Sequence, residues 1–340
     1  MDGFAGSIGI SDSRGKGTPV LNVLDSDHNK RYLMYYLRNL AYGNVFLALS
    51  TGIRVRSCDL GWKKLGEIRV ALPPLGEQEA IAGYLDGKCG EIDGLVADLE
   101  AEVRTLAEYK KSVVAETVTR GLDPAAPTKA SGIPWAETIP AHWEVVRGKY
   151  ALRLLQRRVK EDDGVITCFR DGQVTLRSKR REEGYTISDK EYGYQGIEPG
   201  DLVVHGMDGF AGSIGVSDSR GKGTPVLNVL DSDHNKRYLM YYLRNMAYRN
   251  VFLALSTGIR VRSCDLSWKK LGEIRIVLPP IEEQKAIADY IDRKLDEIQH
   301  AIKTKQRQIE TLKRYKGSLI YEYVTGKREV VGGIGETRRA

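Results

Sequence analysis

The sequence repeats itself at an offset of 206 residues. Residues 1–70 and 207–276 differ only at positions 10, 40, 43, 61 and 70 of the first copy, so 65 of the 70 positions are identical. A looser similarity continues through the Leu-Pro-Pro runs at 72–74 and 278–280 and fades near Gly121. A solenoid needs at least three short units, whereas this chain has two long ones. The repeat therefore predicts a duplicated domain and pseudo-symmetric recognition of a two-fold target.

The second copy includes a segment, about 134–206, that the first copy lacks. The chain thus contains one and a half repeat units, and we expect the N-terminal half unit to fold poorly or to need a second chain that completes it. The predicted bounds are a partial domain at 1–75, a helix at 76–121, a linker at 122–140, a complete domain at 141–280, a second helix at 281–327 and a flexible tail at 328–340.

Each repeat copy ends in a predicted long helix that begins after the Pro-Pro pair. Apolar residues recur at alternating spacings of four and three, which is the pattern of a coiled-coil seam. We predict that the two helices pair with each other; the alternative is that each packs on its own domain. The predicted seam consists of Ile81, Leu85, Ile92, Val96, Leu99, Val103, Leu106, Ile287, Ile291, Leu295, Ile298, Ile302, Ile309 and Leu312.

The complete domain has a mixed pattern. Short runs rich in β-branched residues at 165–168, 202–205, 226–229 and 274–278 predict strands, and residues 235–255 predict an amphipathic helix. The stretch at 122–134 contains Pro, Ala and Ser and predicts an exposed linker. Together with the long helices, this pattern predicts an α+β protein.

Most of the surplus positive charge belongs to the complete domain. The chain has 52 Lys and Arg against 45 Asp and Glu, a net charge of +7, and residues 141–280 hold 23 of the basic and 17 of the acidic residues. Basic clusters next to loops suit contacts with the phosphates and base edges of double-stranded DNA, although each cluster could equally be a solvated loop. The predicted DNA-binding residues are Arg177, Lys179, Arg180, Arg181, Arg260, Arg262, Lys269 and Lys270.

Several classes of protein are excluded. No window approaches the roughly 18–20 apolar residues of a membrane span, and the N-terminus has no signal-peptide pattern, so we expect a cytoplasmic protein. The four cysteines show no metal-ligand spacing. The sequence contains neither a nucleotide-binding fingerprint nor a catalytic constellation. It therefore predicts a non-catalytic binding protein with no metal site and no cofactor of its own.

The layout resembles the specificity subunit of type I restriction-modification enzymes, over essentially the whole chain. The resemblance is carried by Ile-Pro-Trp at 133–135, the run Ile-Pro-Ala-His-Trp-Glu-Val at 139–145, Pro-Gly-Asp-Leu-Val-Val-His-Gly-Met at 199–207, the junctions at 72–78 and 278–284, and the helix end at 312–327. The order of these motifs and the two-fold repeat make the match specific.

The resemblance implies two target-recognition domains that each read one half of a bipartite DNA site, joined by two helices in an antiparallel coiled coil. It also implies methyltransferase and restriction subunits as partners, with S-adenosylmethionine, ATP and Mg on those partners. Self-association through the spacer helices is a further expectation. Two complete and similar recognition domains would predict a near-palindromic target. The alternative function is a truncated scaffold or decoy that binds the methyltransferase without productive DNA recognition, and a catalytic nuclease comes last.

Overall fold

A computed structural model describes residues 7–18, 21–49, 61–180, 192–255 and 266–330. Within these ranges, none of the helices has the length and apolar character needed to cross a membrane. The α-helices are α1 (Lys30–Tyr42), α2 (Val45–Leu49), α3 (Trp62–Leu65), α4 (Leu75–Arg120), α5 (Gly148–Ala151), α6 (Lys236–Tyr248), α7 (Val251–Leu255), α8 (Trp268–Leu271) and α9 (Ile281–Val324).

In the described residues, all strands lie between α4 and α9 in the sequence. They are β1 (Thr128–Ala130), β2 (Thr138–Pro140), β3 (Glu144–Arg147), β4 (Arg153–Leu154), β5 (Ile166–Cys168), β6 (Val174–Leu176), β7 (Gln195–Ile197), β8 (Leu202–His205), β9 (Ile214–Val216), β10 (Gly221–Gly223), β11 (Leu227–Asp231) and β12 (Arg275–Leu278). Long helices combined with short antiparallel strands confirm the predicted α+β class.

The chain divides into two compact units, one formed by 1–104 and 302–340 and the other by 105–301. Because α4 and α9 each contribute to both units, these bounds differ from the six predicted segments. In the first unit, α1 packs its Tyr32 and Tyr35 against Ile81 and Leu85 of α4, in a core that also contains Tyr323 of α9.

Helices α4 and α9 run antiparallel within the first unit. Three ion pairs join the helices, and as the residue number of the α4 partner rises, that of the α9 partner falls. The pairs are Asp93 with Lys316 at 2.6 Å, Glu100 with Lys313 at 3.0 Å, and Glu102 with Lys305.

The predicted seam residues have two kinds of neighbour. Leu99, Val103, Ile309 and Leu312 belong to the core that α4 and α9 share in the first unit, and Ile92, Val96 and Ile302 are buried there. Ile81 and Leu85 also pack on α1, while Ile287, Ile291 and Leu295 join the core of the second unit. Ile298 is buried and Leu106 is half-buried. Both arrangements considered from the sequence therefore occur, each along a different part of the helices.

The second unit is built around a four-stranded antiparallel sheet in the order β4-β11-β8-β9. Val203 of β8 lies opposite Val229 of β11. The remaining strands form the antiparallel pairs β3-β12, β5-β6, β7-β10 and β1-β2. Buried Trp143, Tyr238, Tyr242 and Phe252 pack with Ile287 in the main core, which fixes α6 and α9 in the unit.

Both copies of the repeated helix begin in the same way. Asn29 caps α1 by accepting a hydrogen bond from the Tyr32 N–H at 3.0 Å, and Asn235 caps α6 by accepting one from the Tyr238 N–H at 3.0 Å. The backbone N–H of each cap residue also donates to a buried glutamine of the long helix that follows, Gln78 at 3.1 Å in one copy and Gln284 at 2.9 Å in the other. These contacts attach the helix to its neighbour in each unit.

The predicted helix at 235–255 is two helices. Helix α6 ends at Tyr248, and α7 begins at Val251. Asn250 between them has a φ of 57°, and Asn44 has a φ of 58° at the same point of the first copy. A residue in this left-handed region ends a helix, and asparagine tolerates it better than most residues.

The predicted linker at 122–140 is partly folded. Strands β1 and β2 within it pair as an antiparallel hairpin, with Lys129 opposite Ile139. Ile133 and Ile139 are buried in the main core of the second unit. The exposed-linker prediction for 122–134 was therefore wrong at Ile133, because its apolar side chain attaches the segment to the core.

Candidate nucleic-acid interface

The turn after β6 brings together three of the predicted DNA-binding residues. Arg177 and Lys179 lie in one 3-10 turn, and Arg180 ends it. The Arg177 Nε donates a hydrogen bond to the Thr167 Oγ1 at 3.1 Å. The Lys179 Nζ donates to the Ser219 Oγ at 2.7 Å. The basic turn thus follows directly after β6 of the antiparallel β5-β6 pair.

Arg180 is attached to the hairpin loop that joins β5 to β6. Its Nη1 lies 2.8 Å from the Asp171 Oδ2, and its guanidinium lies 4.1 Å from the centre of the Phe169 ring. Arg170 in the same loop has a side chain that is 68% exposed, and its Nη2 lies 3.0 Å from the Asp208 Oδ1. Both arginines are therefore oriented by carboxylates while keeping access to solvent.

Helix α6 adds a further arginine to the same surface. The Nη2 of Arg244 donates to the Tyr248 hydroxyl oxygen at 2.8 Å. Its guanidinium also lies against Gly172 of the hairpin loop, where an added Cβ would come within 1.7 Å of the Arg244 Nη1. We name this surface the basic rim, and it consists of Arg170, Arg177, Lys179, Arg180 and Arg244.

Carboxylates accompany the exposed cations of the basic rim. Lys179 lies 3.5 Å from Asp218. Burial raises the pKa of Asp218, but the hydrogen bond from Ser219 and the charge of Lys179 act against it, and the pKa lies below the usual value. Exposed ion pairs of this kind contribute about 0–1 kcal/mol each. Phosphate oxygens can therefore replace these carboxylates at little cost.

His205 supports the loop that holds Asp208. Its Nδ1 accepts hydrogen bonds from the backbone N–H groups of Met207 at 3.2 Å and Asp208 at 2.9 Å. Burial lowers the pKa of His205; the Asp208 carboxylate acts against this, and the Arg170 charge acts in the same direction as burial. The neutral ring keeps this nitrogen free to accept, which fixes the position of Asp208 beneath Arg170.

Lys269 and Lys270 lie apart from the Arg177–Lys179 turn in the sequence and on their own element, α8. This short helix is followed by Glu273, whose carboxylate lies 2.9 Å from both the Arg147 Nη1 and the Lys149 Nζ. Hydrogen bonds from Lys149, and then the nearby charges, lower the pKa of Glu273. A second basic patch thus surrounds one carboxylate beside α5.

The other three predicted residues, Arg181, Arg260 and Arg262, lie outside the described residues. Sequence reasoning missed Arg170, Arg244 and Tyr248. The Asp-Gly pair at 171–172 between two apolar runs indicates a hairpin turn and could have located Arg170. The i, i+4 spacing of Arg244 and Tyr248 on a predicted helix could have located the other two.

Comparisons with known proteins show which proteins this chain is similar to. Residues 162–311 match the family described as the type I restriction modification DNA specificity domain. The putative type I restriction enzyme MjaX specificity subunit of Methanocaldococcus jannaschii is 24% identical over 312 residues, covering 88% of this chain and 68% of the relative. The type I restriction enzyme StySPI specificity subunit of Salmonella potsdam is 21% identical over 324 residues, covering 89% and 68%.

A solved structure has the same fold. It comes from work on complex assembly and conformational transition of the type I R-M system, and it is 17% identical to this chain. The superposition covers 87% of this chain and 71% of the solved one, with a TM-score of 0.64. At this level of identity the likeness supports the fold alone.

Proposed function

We propose that this chain, whose residues 162–311 match the type I restriction modification DNA specificity domain, is the non-catalytic subunit that selects the DNA sequence. The observation that carries the proposal is the position of the basic rim, because Arg170, Arg177, Lys179, Arg180 and Arg244 all lie inside the matched residues. Arginine and lysine side chains on a preformed surface bind phosphates and base edges.

We further propose that the target is bipartite. The repeat places the same helix and capping contacts in both units, which supports two related recognition domains. The antiparallel pairing of α4 and α9 supports a spacer that fixes the distance between the half-sites. If both domains act, their near-identity where they overlap predicts half-sites that are related by symmetry.

Methyltransferase and restriction subunits are the proposed partners, and they would bring S-adenosylmethionine, ATP and Mg. We propose the cytoplasm as the compartment, where such a complex meets double-stranded DNA. The spacer helices are the proposed docking surface for the partners and for any self-association.

The direct test is sequencing of methylated DNA in a host that expresses this chain with its methyltransferase subunit. We expect one bipartite methylated motif that disappears when the chain is omitted. An Arg180→Ala and Arg244→Ala double variant should abolish the methylation while still purifying with the methyltransferase. Unchanged methylation in the absence of the chain would contradict the proposal.

The second candidate is a scaffold that binds the methyltransferase without productive DNA recognition. It is favoured by one observation, the large exposure of Val23, a side chain of the first unit whose repeat counterpart Val229 is buried. The two functions differ in outcome, because a scaffold that occupies the methyltransferase would lower the methylation produced by an intact specificity subunit in the same cell. A specificity subunit would instead add a second motif.

A further inference from the structure

Residues 21–24 of the first unit expose apolar side chains that the second unit buries. The exposed fractions are 62% for Leu21, 91% for Val23 and 43% for Leu24, against 4% for Leu227, 0% for Val229 and 0% for Leu230 at the equivalent positions. Both stretches have the sequence Leu-Asn-Val-Leu-Asp. The difference therefore arises from the neighbours of the stretch and not from its own sequence.

The neighbours that differ between the two copies are strands. In the second unit β9 pairs with β8, β10 pairs with β7, and β11 pairs with both β8 and β4, so every partner lies within 153–205. The equivalent residues 8–10, 15–17 and 21–25 form no strand. The helices, in contrast, form in both copies, as α1, α2 and α3 in the first and as α6, α7 and α8 in the second. A helix makes its hydrogen bonds within itself, whereas a strand needs a neighbour.

Two glycines show how closely a covering segment would approach. An added Cβ at Gly215 would lie 1.9 Å from the Gly172 carbonyl oxygen, and one at Gly221 would lie 2.4 Å from the Gly164 carbonyl oxygen. The equivalent glycines of the first unit, at 9 and 15, have nothing within 4 Å of an added Cβ. The first unit therefore has space beside both glycines for a further backbone segment.

Charge is also complementary. In the second unit Arg220 bridges Glu198 and Asp163, and the Asp163 side chain is only 3% exposed. Arg14 has the equivalent position in the first unit and is exposed. A segment with acidic residues at the places of Asp163 and Glu198 would thus find its basic partner already present.

We propose that residues 8–18 and 21–24 of the first unit are the docking surface for a polypeptide segment with the sequence and fold of residues 141–206. Docking would add the partner strands to residues 8–10, 15–17 and 21–25, bury Leu21, Val23 and Leu24, and place acidic groups beside Arg14. The proposal rests on the contacts of the two repeat copies and does not depend on DNA binding.

A second copy of this chain is a poor source of the segment. In each chain, residues 141–206 already pack against Leu227, Val229 and Leu230, which are buried. A second chain that donated this segment would therefore expose its own three apolar side chains while it covered those of the first chain. The intramolecular contact also has the advantage of a high effective concentration. The occupant is therefore a segment like residues 141–206 that is not already packed against a stretch equivalent to residues 214–231.

The test extends the full chain at Met1 with residues 134–206, so that Gly206 precedes Met1 as it naturally precedes Met207. Hydrogen exchange followed by mass spectrometry can tell the copies apart, because residue 10 is Ile and residue 216 is Val. In the unextended chain we expect peptide 10–25 to exchange faster than peptide 216–231. In the extended chain its exchange should slow by roughly tenfold or more. Continued fast exchange would overturn the proposal, as would an unextended chain in which both peptides are equally protected.

Gly9→Ala in the extended chain provides the specific variant. The new methyl group would meet the carbonyl of the docked segment, so peptide 10–25 should return to fast exchange, while the unextended chain should be unaffected. Gly76→Ala is the matched control, because Gly76 also has nothing within 4 Å of an added Cβ but belongs to α4 and not to residues 8–18 or 21–24. If Gly9→Ala is as well protected as Gly76→Ala, the proposed register of docking is wrong.

Discussion

The Tyr35 hydroxyl donates a hydrogen bond to the Asp86 carboxylate over 2.8 Å in the first unit. The second unit repeats the contact between Tyr241 and Asp292. Burial, and then the carboxylate, raise the pKa of both tyrosines well above the usual value. Each hydroxyl is therefore a permanent donor that fastens the short repeated helix to the long helix beside it.

Removing either hydroxyl should destabilise the protein. Hydrogen bonds to charged groups contribute about 1.5–3 kcal/mol, and we expect about 1–2 kcal/mol for Tyr35→Phe and Tyr241→Phe because the carboxylates are partly exposed. Urea unfolding followed by circular dichroism gives the free energy of unfolding. Tyr150→Phe is the control, since Tyr150 is 74% exposed. If Tyr35→Phe and Tyr241→Phe had the same free energy of unfolding as the Tyr150→Phe control, the tyrosine–carboxylate hydrogen bonds would contribute nothing to stability.

Loss of single cations from the basic rim should weaken DNA binding in a salt-dependent way. Each phosphate contact that Arg170→Ala or Arg244→Ala removes should reduce the slope of log K against log salt by about 0.9. Fluorescence anisotropy with duplex DNA over a range of salt concentrations measures this slope. Lys88→Ala, which removes an exposed cation of α4, should leave the slope unchanged. An unchanged slope for both rim variants would exclude the rim as the interface.

Much of the long-range organisation could be predicted from the sequence. The repeat and the alternating apolar spacing indicate α4 and α9, because a helix satisfies its own backbone and shows its contacts as periodicity. The break at Asn250 could not be predicted, since a single left-handed residue leaves the apolar pattern intact on both sides. The β1-β2 hairpin was missed because its Pro-rich and Ala-rich composition is typical of linkers, although Ile133 and Ile139 anchor it.

The candidate interface was only partly predictable for a related reason. The cluster at 177–181 is contiguous in sequence, so its charge is visible without a structure. Arg170 and Arg244 join it only through tertiary contacts, one through Asp208 and the other against Gly172. A pattern of charges along the chain does not encode which loop meets which helix.

Acid should destabilise the protein through His205. Burial depresses its pKa in the folded state below the unfolded value of about 6.5, so the unfolded chain binds the proton more readily. The stabilising contribution is therefore complete above about pH 6.5 and is lost as the pH falls towards the folded pKa. His205→Asn can still accept the backbone N–H bonds but cannot titrate.

The measurement is the free energy of unfolding, obtained from urea titrations between pH 7.5 and 5.5. We expect the free energy of unfolding of the parent protein to fall more steeply than that of His205→Asn, by at most about 1.4 kcal/mol per pH unit for one proton. The other histidines are present in both proteins, so the difference between the two curves isolates His205. Parallel curves would mean that folding does not lower the pKa of His205.

The two repeat copies should respond differently to the same glycine-to-alanine substitution. Gly215→Ala would push a methyl group to within 1.9 Å of the Gly172 carbonyl oxygen, which the β5-β6 hairpin holds in place, whereas Gly9→Ala meets nothing within 4 Å. Overpacking of this kind costs about 1–3 kcal/mol, while a change at an open position stays within about 0.5 kcal/mol. Differential scanning calorimetry should thus show a lower Tm for Gly215→Ala and an unchanged Tm for Gly9→Ala. If Gly9→Ala were as damaging as Gly215→Ala, the first unit would already hold a covering segment, and the asymmetry between two nearly identical sequences would need another cause.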